Sequence, residues 1–566
     1  MNDQIRDHLS FIYGVDNAKP LAQRIAELVA QYRTELSPIR GDTDRFSQRD
    51  AILITYGDMV QDTGETPLRT LGRFLQAHCR GMLNGVHILP FYPYTSDDGF
   101  SVVDYRIVDP ALGSWADVTK LGRHFSLMFD AVINHISAQS EWFQRFLQDD
   151  PRFRDYFITV PPGTDLSDVF RPRALPLLTP VQTPSGEKLV WTTFSADQVD
   201  LNFAYPAVML EIVDLLLFYV ANGARYLRLD AIAYMWKEIG TSSIHRPETH
   251  RLIQLFRAVL DRVAPETILI TETNVPHKDN IAYFGDGANE AQMVYNFTLP
   301  PLTLHAFHTG RATILNEWAA SLSLPSDRVT FFNFLASHDG IGVTPARGWL
   351  SDTEVATIAE RVLALGGQVS YKNNPDGSQS AYELNINFLD ALGNPDRPDE
   401  PIALVARRFL AAQAIMLALR GVPGIYFHSL FGSRGWPEGV AETGRARTIN
   451  RQKLHRQELE AELNTAGSLR QRVFQGMTRL LAIRSTSAAF HPLAGQEILH
   501  LHPAVFVVER REPAGSETVL CLHNVSAAEV MVSLPTGRFT DLLSDQGYQS
   551  TAQLAPYQVM WLREEA

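Results

Sequence analysis

The sequence predicts a closed (β/α)8 barrel with inserted subdomains after its third and seventh strands and a C-terminal antiparallel β domain. Short apolar runs alternate with helical patterns from residue 51 onward, and eight such runs occur before residue 430. Parallel strands buried on both faces are almost continuously apolar, and strand–helix alternation implies a parallel α/β fold. Eight units of this kind indicate a closed barrel. The predicted strands span residues 51–56, 85–91, 127–135, 224–232, 267–273, 292–297, 329–336 and 422–428.

The same pattern divides the 566 residues into seven consecutive segments. The two inserts follow the carboxyl ends of strands, where a barrel of this type builds its active site. After residue 487 short alternating strands replace the earlier rhythm, which is typical of a small antiparallel domain. The predicted segments are an N-terminal helical extension (1–50), the first part of the barrel (51–135), an insert after strand 3 (136–205), the middle of the barrel (206–339), an insert after strand 7 (340–395), the end of the barrel (396–486) and a C-terminal β domain (487–566).

Composition excludes several classes of protein. Hydrophobic residues make up 45% of the chain and the formal net charge is −13, which is an ordinary apolar content with an acidic balance. A nucleic-acid binder needs a basic face, so we expect no nucleic-acid partner. The chain shows no signal-like N-terminus and no apolar stretch of the roughly 20 residues that cross a bilayer, so we expect a cytoplasmic protein without a membrane partner. Two distant cysteines, Cys79 and Cys521, do not suggest a disulfide framework.

Polar and charged residues follow four of the predicted strands. One such residue could simply cap the next helix, but four cases would all face one mouth of the barrel. Paired carboxylates suit glycosidic chemistry, because a retaining mechanism needs a nucleophile and an acid about 5–5.5 Å apart. Arg228 lies two residues before Asp230 and so points to the same face of its strand, where we expect it to lower the pKa of that carboxyl.

These strand-end motifs resemble the four conserved regions of the α-amylase superfamily, over roughly residues 51–460. The resembling segments are residues 130–135, 228–230, Glu272 and His338-Asp339, with residues 198–202 as a fifth. The resemblance implies that Asp230 is the nucleophile, Glu272 the general acid/base and Asp339 the transition-state stabiliser. It also implies that the glucosyl unit is bound by His135, Arg228 and His338.

Further motifs resemble the sucrose phosphorylase branch of that superfamily, notably residues 85–91 and 97–100. This resemblance implies that Asp97 grips glucose hydroxyls, that Phe100 is a stacking platform and that Arg447 closes the pocket with Asp97. Arg171-Pro172-Arg173 resembles a motif whose second arginine reaches the phosphate. A pocket that holds one glucose and little more favours phosphorolysis over attack on long glucans.

The sequence differs from that branch at two positions, both in the part of the site where the acceptor and phosphate bind in turn. Asn274 replaces a histidine of the sucrose phosphorylases, and Tyr382-Glu383 replaces their Tyr-Gln pair. The run of residues 272–280 instead resembles glucosylglycerate phosphorylases. His277 and Lys278, with Arg173, could offer cationic partners to a glycerate carboxylate. The predicted phosphate or acceptor residues are therefore Arg173, Asn274, His277, Tyr382 and Glu383.

The resemblance predicts a retaining phosphorylase that converts 2-O-α-glucosylglycerate and phosphate to α-glucose 1-phosphate and D-glycerate. The alternatives are a sucrose or sucrose 6-phosphate phosphorylase, a glucosylglycerol phosphorylase and, more distantly, a non-catalytic transporter-partner protein. Asn134 matches a calcium ligand of some amylases, but the resembling branch uses no calcium, so we expect no metal. We expect no cofactor, inorganic phosphate being a co-substrate, and a homodimer is an open alternative for the assembly.

Overall fold

Eight parallel strands form a closed barrel at the centre of the molecule. The computed structural model describes residues 3–35, 45–173, 175–373 and 378–565. The barrel strands are β1 (Ile52–Thr55), β2 (Gly85–Ile88), β3 (Ser126–Ala131), β4 (Ala224–Leu229), β5 (Ile268–Thr271), β6 (Met293–Tyr295), β7 (Thr330–Phe334) and β8 (Val422–Tyr426). Each strand pairs with its neighbours in sequence, and β8 returns to β1. The predicted fold class is confirmed, and every strand lies within one of the eight apolar runs or one residue from it.

The closing contact of the barrel depends on close packing at its seam. Strand β8 pairs with β1 through Ile52 and Gly424. A Cβ atom on Gly424 would lie 2.3 Å from Cζ of Phe332, so only glycine leaves room for that ring. All eight strands are parallel, and their carboxyl ends therefore meet at one rim.

Helices surround the barrel and connect its strands. Pro206 lies in the first turn of one of them, where its missing N–H costs nothing, and Gly223 follows its end with φ +98°. The longer helices outside the N-terminal segment are Pro67–His78, Trp115–Gly122, Pro206–Ala221, Pro247–Val263, Leu299–Thr309, Thr313–Ser321, Asp352–Ala364, Ile402–Ala418, Arg456–Asn464 and Leu469–Thr486. The shorter helices are Glu141–Leu147, His277–Ile281, Phe388–Ala391, Phe427–Leu430 and Pro437–Thr443, and the 3-10 turns are Asp97–Gly99, Ile232–Tyr234, Ala282–Phe284, Thr344–Ala346, Ala446–Asn450 and Ala488–Phe490.

Two helices, α1 (Asp3–Tyr13) and α2 (Val15–Glu35), occupy the N-terminal segment. They pack on the outer barrel helices Pro206–Ala221 and Pro247–Val263. Leu9 and Ile25 are buried in this contact region, and the Tyr13 hydroxyl donates a hydrogen bond to the Phe203 carbonyl at 2.8 Å. Residues 36–44 of the predicted extension lie outside the described part of the chain.

The remaining strands form two inserts, a short parallel pair and a C-terminal sheet. After β3, a ribbon of His135–Ser137 with Gln198–Asp200 accompanies a sheet of Thr159–Val160, Gly186–Trp191 and Leu178–Thr183. After β7, a sheet is formed by Ile341–Gly342, Gln379–Asn385 and Gln368–Asn373. A short parallel pair joins Val60–Gln61 to Leu454–His455. The C-terminal antiparallel sheet contains Gly495–Ile498, Val505–Arg511, Thr518–Asn524, Val530–Asp541, Gly547–Leu554 and Val559–Glu564.

None of the helices in the described part of the chain combines the length and the apolarity that crossing a bilayer requires.

Candidate active site

A pocket opens at the carboxyl ends of the barrel strands and brings together most of the predicted site residues. Those that line it are Asp97, Phe100, His135, Arg173, Asp230, Glu272, Asn274, His338, Asp339, Tyr382 and Arg447. Arg228 lies beneath the pocket and is 3% exposed. Glu383 lines an outer cavity and a smaller chamber beside the pocket. The strand ends and the two inserts therefore converge on one site.

Two carboxylates lie on either side of the Arg228 guanidinium. Arg228 Nη1 donates to Asp230 Oδ1 at 2.7 Å, and its Nη2 lies 3.9 Å from Glu272 Oε1. The same Nη1 is 2.5 Å from Asp130 Oδ1, and His87 Nε2 is 2.6 Å from the other oxygen of that carboxylate. Arg228 is thus fixed from below by a buried ion pair and presents its charge upward to Asp230 and Glu272.

The backbone after Asp230 also positions Glu272. Ala231 adopts φ +49°, a left-handed conformation that is unusual for a residue other than glycine. Its N–H donates to Glu272 Oε2 at 3.0 Å. A sharp turn at the end of β4 therefore holds the carboxyl group that follows β5.

Burial raises the pKa of Glu272 to about 7, and the Asp230 charge adds to the effect while Arg228 opposes it. Burial also raises the pKa of Asp230 above its ordinary value, although Arg228 lowers it. Arg228 lowers this pKa as expected, but desolvation outweighs the ion pair, so the net shift is upward. The shorter Arg228 contact still favours the anion on Asp230, so the proton of the pair lies on Glu272.

Asp339 follows β7 and is held by two arginines. Arg447 Nη1 lies 2.6 Å and Arg451 Nη2 3.3 Å from its Oδ1. Burial would raise the pKa of Asp339, but Arg447, His338 and Arg451 hold it well below its usual range. The neighbouring His338 ring stacks on Phe100 at 4.8 Å, and burial keeps its pKa at about 3, so the ring is neutral at physiological pH.

Asp97 lies at the pocket wall in a left-handed conformation, with φ 53°. Arg173 Nη2 is 3.3 Å from its Oδ2, and the Arg173 guanidinium lies 5.4 Å from the centre of the Phe194 ring. Burial raises the pKa of Asp97, but the charges of Arg173 and Arg447 outweigh it and hold the value at about 2. The carboxylate that is predicted to grip glucose is therefore ionised and already paired with the predicted phosphate arginine.

Arg447 binds two carboxylates directly. Its Nε and Nη2 bind both oxygens of Glu383, at 3.0 and 2.6 Å, while its Nη1 binds Asp339. Asp97 and Arg447 line the same pocket, and the direct partners of the Arg447 guanidinium are Asp339 and the buried Glu383, which is 4% exposed. Tyr382, the residue before Glu383, lines the pocket, and burial raises the pKa of its hydroxyl to about 12.

Comparison with known proteins agrees with this geometry. Residues 81–341 match the family "Alpha amylase, catalytic domain". A glucosylglycerate phosphorylase of Spirochaeta thermophila is 50% identical, with 99% of this chain and 98% of that protein covered. A glucosylglycerate phosphorylase of Escherichia coli K12 is 45% identical, and both chains are covered completely.

The chain belongs to the glucosylglycerate phosphorylase family of the α-amylase superfamily. Its fold is also that of a solved sucrose 6F-phosphate phosphorylase from Thermoanaerobacter thermosaccharolyticum, with a TM-score of 0.74 at 22% identity over 91% of this chain and 99% of the other.

Two residues that were predicted as cationic partners of glycerate, His277 and Lys278, lie on one short helix. His277 begins the helix His277–Ile281, and its ring lies 6.1 Å from that of Phe331 in β7. It is not among the described residues that line the pocket. Burial lowers its pKa, so it offers no cation. Lys278 is exposed on the same helix. Lys278 is not among those lining residues either, and the role of both side chains on the acceptor side stays a prediction.

Two residues that were not predicted, Gln198 and Arg451, also contact the site. Gln198 Nε2 donates to the Phe100 carbonyl at 3.1 Å and lies 3.2 Å from His135 Nε2. Arg451 pairs with Asp98 as well as Asp339. Gln198 falls in the segment 198–202 that resembles the superfamily, and that was the available signal. Other lining residues, Pro172, Phe194, Ala231, Ala233, Tyr234, Thr273 and Val275, carry no comparable pattern.

Lys237 lies next to Asn134, the residue that matches a calcium ligand of some amylases. Lys237 Nζ lies 2.7 Å from Asn134 Oδ1 and 2.5 Å from Asp200 Oδ2. The Lys237 and Asp200 side chains are 2% and 0% exposed. The ammonium group therefore supplies a positive charge to these oxygens. In the part of the chain that the structure describes, no group of three or more His, Cys, Asp or Glu side chains is arranged to hold a metal ion.

Proposed function

We propose that this chain is a retaining glucosylglycerate phosphorylase. The observation that carries the proposal is its full-length similarity to phosphorylases of that name, at 50% and 45% identity. The site supports it, because Asp230, Glu272 and Asp339 all line one pocket. In the proposed reaction, 2-O-α-glucosylglycerate and phosphate give α-glucose 1-phosphate and D-glycerate.

In the first proposed step, Asp230 attacks the anomeric carbon while Glu272 donates its proton to the glycosidic oxygen. The bond to the glycerate oxygen breaks, and a glucosyl ester forms on Asp230. A carboxyl with a pKa of about 7 can hold the required proton near neutral pH and also release it. Asp339, kept ionised by Arg447 and Arg451, faces the positive charge that develops on the sugar.

In the second step, phosphate attacks the same carbon and Glu272, now a carboxylate, accepts the phosphate proton. The ester bond to Asp230 breaks, and the two inversions together retain the α configuration. Phosphate must win over water, which is far more abundant. Arg173 is the proposed phosphate ligand, because a guanidinium can hold two phosphate oxygens through parallel hydrogen bonds. We propose no cofactor and no metal for either step.

The acceptor side is proposed to include Asn274, Tyr382 and Glu383. Asn274 and Tyr382 line the pocket, and Glu383 lines the outer cavity with Arg173 and Arg447. D-Glycerate and phosphate are both anions, so one arginine-bearing mouth can receive either of them in turn.

The test is the reverse reaction with α-glucose 1-phosphate and a panel of acceptors: D-glycerate, glycerol, fructose and fructose 6-phosphate. We expect phosphate release to be fastest with D-glycerate, with Asp230→Asn as an inactive blank. A preference for any other acceptor would reject the proposed specificity. Formation of β-glucose 1-phosphate in the forward direction, seen by proton NMR, would reject the retaining mechanism.

A further inference from the structure

Asn274 stands at an unusual place beside the acid/base residue. It lines both the catalytic pocket and the smaller chamber that lies between Glu272 and Asp339. Its Oδ1 is buried and has no hydrogen-bond partner among the described residues. Native proteins seldom leave a buried polar atom unpaired, so this amide is kept for a partner that the protein itself does not supply.

The amide of Asn274 rests directly against a glycine of the insert after β7. A Cβ atom on Gly342 would lie 2.6 Å from Asn274 Nδ2 and 2.8 Å from its Oδ1, closer than real Cβ contacts come. The backbone of Gly342 does not require glycine, since its φ is not positive. Space for the Asn274 amide, rather than backbone freedom, is therefore the reason for a glycine at this position.

Gly342 also connects Asn274 to the arginine pair across the pocket. It pairs in register with Glu383 in the antiparallel sheet of the insert. Glu383 in turn binds Arg447 through both oxygens. Asn274 and Glu383, two of the predicted acceptor residues, thus meet at one glycine.

We infer that Gly342 is a positioning residue for acceptor selection, because its missing side chain lets the Asn274 amide stand beside Glu272 and contact the acceptor. This inference rests on the proposed function. Any larger residue at 342 would push the amide toward the pocket, and a displacement of about 1 Å at a reacting centre can cost up to roughly 100-fold in rate.

Two reactions separate acceptor selection from glucosyl transfer as such. Exchange of labelled phosphate into α-glucose 1-phosphate needs the glucosyl ester but no glycerate. Transfer from α-glucose 1-phosphate to D-glycerate needs both. For Gly342→Ala we expect the KM for D-glycerate to rise about tenfold or more. We expect the loss in transfer to exceed the loss in exchange by a similar factor.

Gly72→Ala is the matched control. Gly72 lies in the helix Pro67–His78, and the atom nearest to its added Cβ is Leu121 Cδ1 at an ordinary 3.9 Å. We expect this variant to retain both reactions.

A double variant keeps the inference testable if Gly342→Ala folds poorly. Asn274→Ala removes the amide that the new methyl group would strike, so Gly342→Ala should add almost nothing in that background, either to the glycerate KM or to thermal stability. Equal losses of exchange and transfer in Gly342→Ala, or additive effects in the double variant, would overturn the inference. Absence of exchange in the unmodified enzyme would instead reject the proposed function.

Discussion

Glu272 and Asp230 share one buried guanidinium unequally, and this inequality decides which of them carries the proton. Asp230 receives a direct hydrogen bond from Arg228 at 2.7 Å, whereas the contact to Glu272 is 3.9 Å. Glu272 also lies close to a second negative charge in a buried place, which favours its neutral form. The assignment of one carboxyl as acid and the other as nucleophile follows from these contacts.

The pH dependence of cleavage follows from the same pair. The pKa of Glu272 is raised to about 7, so its acid form is present below that pH and is lost above it. We expect kcat/KM for 2-O-α-glucosylglycerate to fall above pH 7, by about tenfold for each further pH unit. A profile of initial rates from about pH 5 to 9, with activity regained on return to neutral pH, measures this. A flat profile across that range would show that Glu272 is not the proton donor.

Arg173 is the residue whose loss should change the product rather than only the rate. For Arg173→Ala we expect the ratio of α-glucose 1-phosphate to free glucose to drop about tenfold or more, because a charge-assisted phosphate contact is lost while water attack remains. Both products are counted in one assay at fixed phosphate. Arg171→Ala is the control, since Arg171 is exposed in the same loop and binds the Leu175 carbonyl. A fall of both products at an unchanged ratio would make Arg173 a residue that only supports its loop.

At the scale of elements, the barrel could be predicted because its strands are buried on both faces. The apolar runs can be recognised from the local sequence, but the residues at which the strands end cannot. The third run was predicted to continue to residue 135, whereas β3 ends at Ala131 and His135 begins a second strand that pairs with Gln198–Asp200. That pairing joins segments about 60 residues apart, so no local pattern could reveal it.

The same limit applies to the site. Residues at strand ends could be placed in the pocket because the fold fixes their position. Arg173, Tyr382 and Arg447 lie outside the barrel strands and also line the pocket, but only the motif resemblance pointed to them, since the direction of such side chains depends on distant partners. The His277 ring lies 6.1 Å from that of Phe331, and Arg447 binds Glu383 because the insert after β7 brings that carboxylate within reach.

Lys237 connects the ribbon of the first insert to the barrel. Its ammonium faces Asp200 at one end of that ribbon and Asn134 after β3. We expect Lys237→Met to lower the free energy of unfolding by about 3 kcal/mol, because Asp200 becomes an uncompensated buried charge. Urea unfolding measures this, with the exposed Lys278→Met as control. Adding Asp200→Asn should recover part of the loss, and no recovery would place the effect in packing instead of charge.

The whole molecule is acidic, yet its pocket mouth carries arginines. The net charge is −13, while the outer cavity is lined by Arg173, Arg445, Arg447 and Arg451. Described acids pair with three of these, and Arg445 is exposed, with no acidic partner within salt-bridge distance among the described residues. The mouth can therefore attract the anions that the rest of the surface repels.

This arrangement predicts that phosphate capture depends on salt. We expect kcat/KM for phosphate to fall severalfold as KCl rises from about 20 to 500 mM, because the Debye length shrinks from roughly 20 Å to about 4 Å. Arg445→Gln should flatten that dependence. Hydrolysis at saturating α-glucose 1-phosphate is the control, as water carries no charge. Equal salt sensitivity of both reactions would indicate a general effect on the protein.

The lysine beneath the site has a consequence for where the protein can work. A dissociable ion fills its place only as far as its concentration in the surroundings allows, and a chelator can take it away. The ammonium of Lys237 is part of the chain and arrives with every folded copy. The oxygens of Asn134 and Asp200 therefore keep their positive neighbour regardless of how much free divalent ion the surrounding fluid contains.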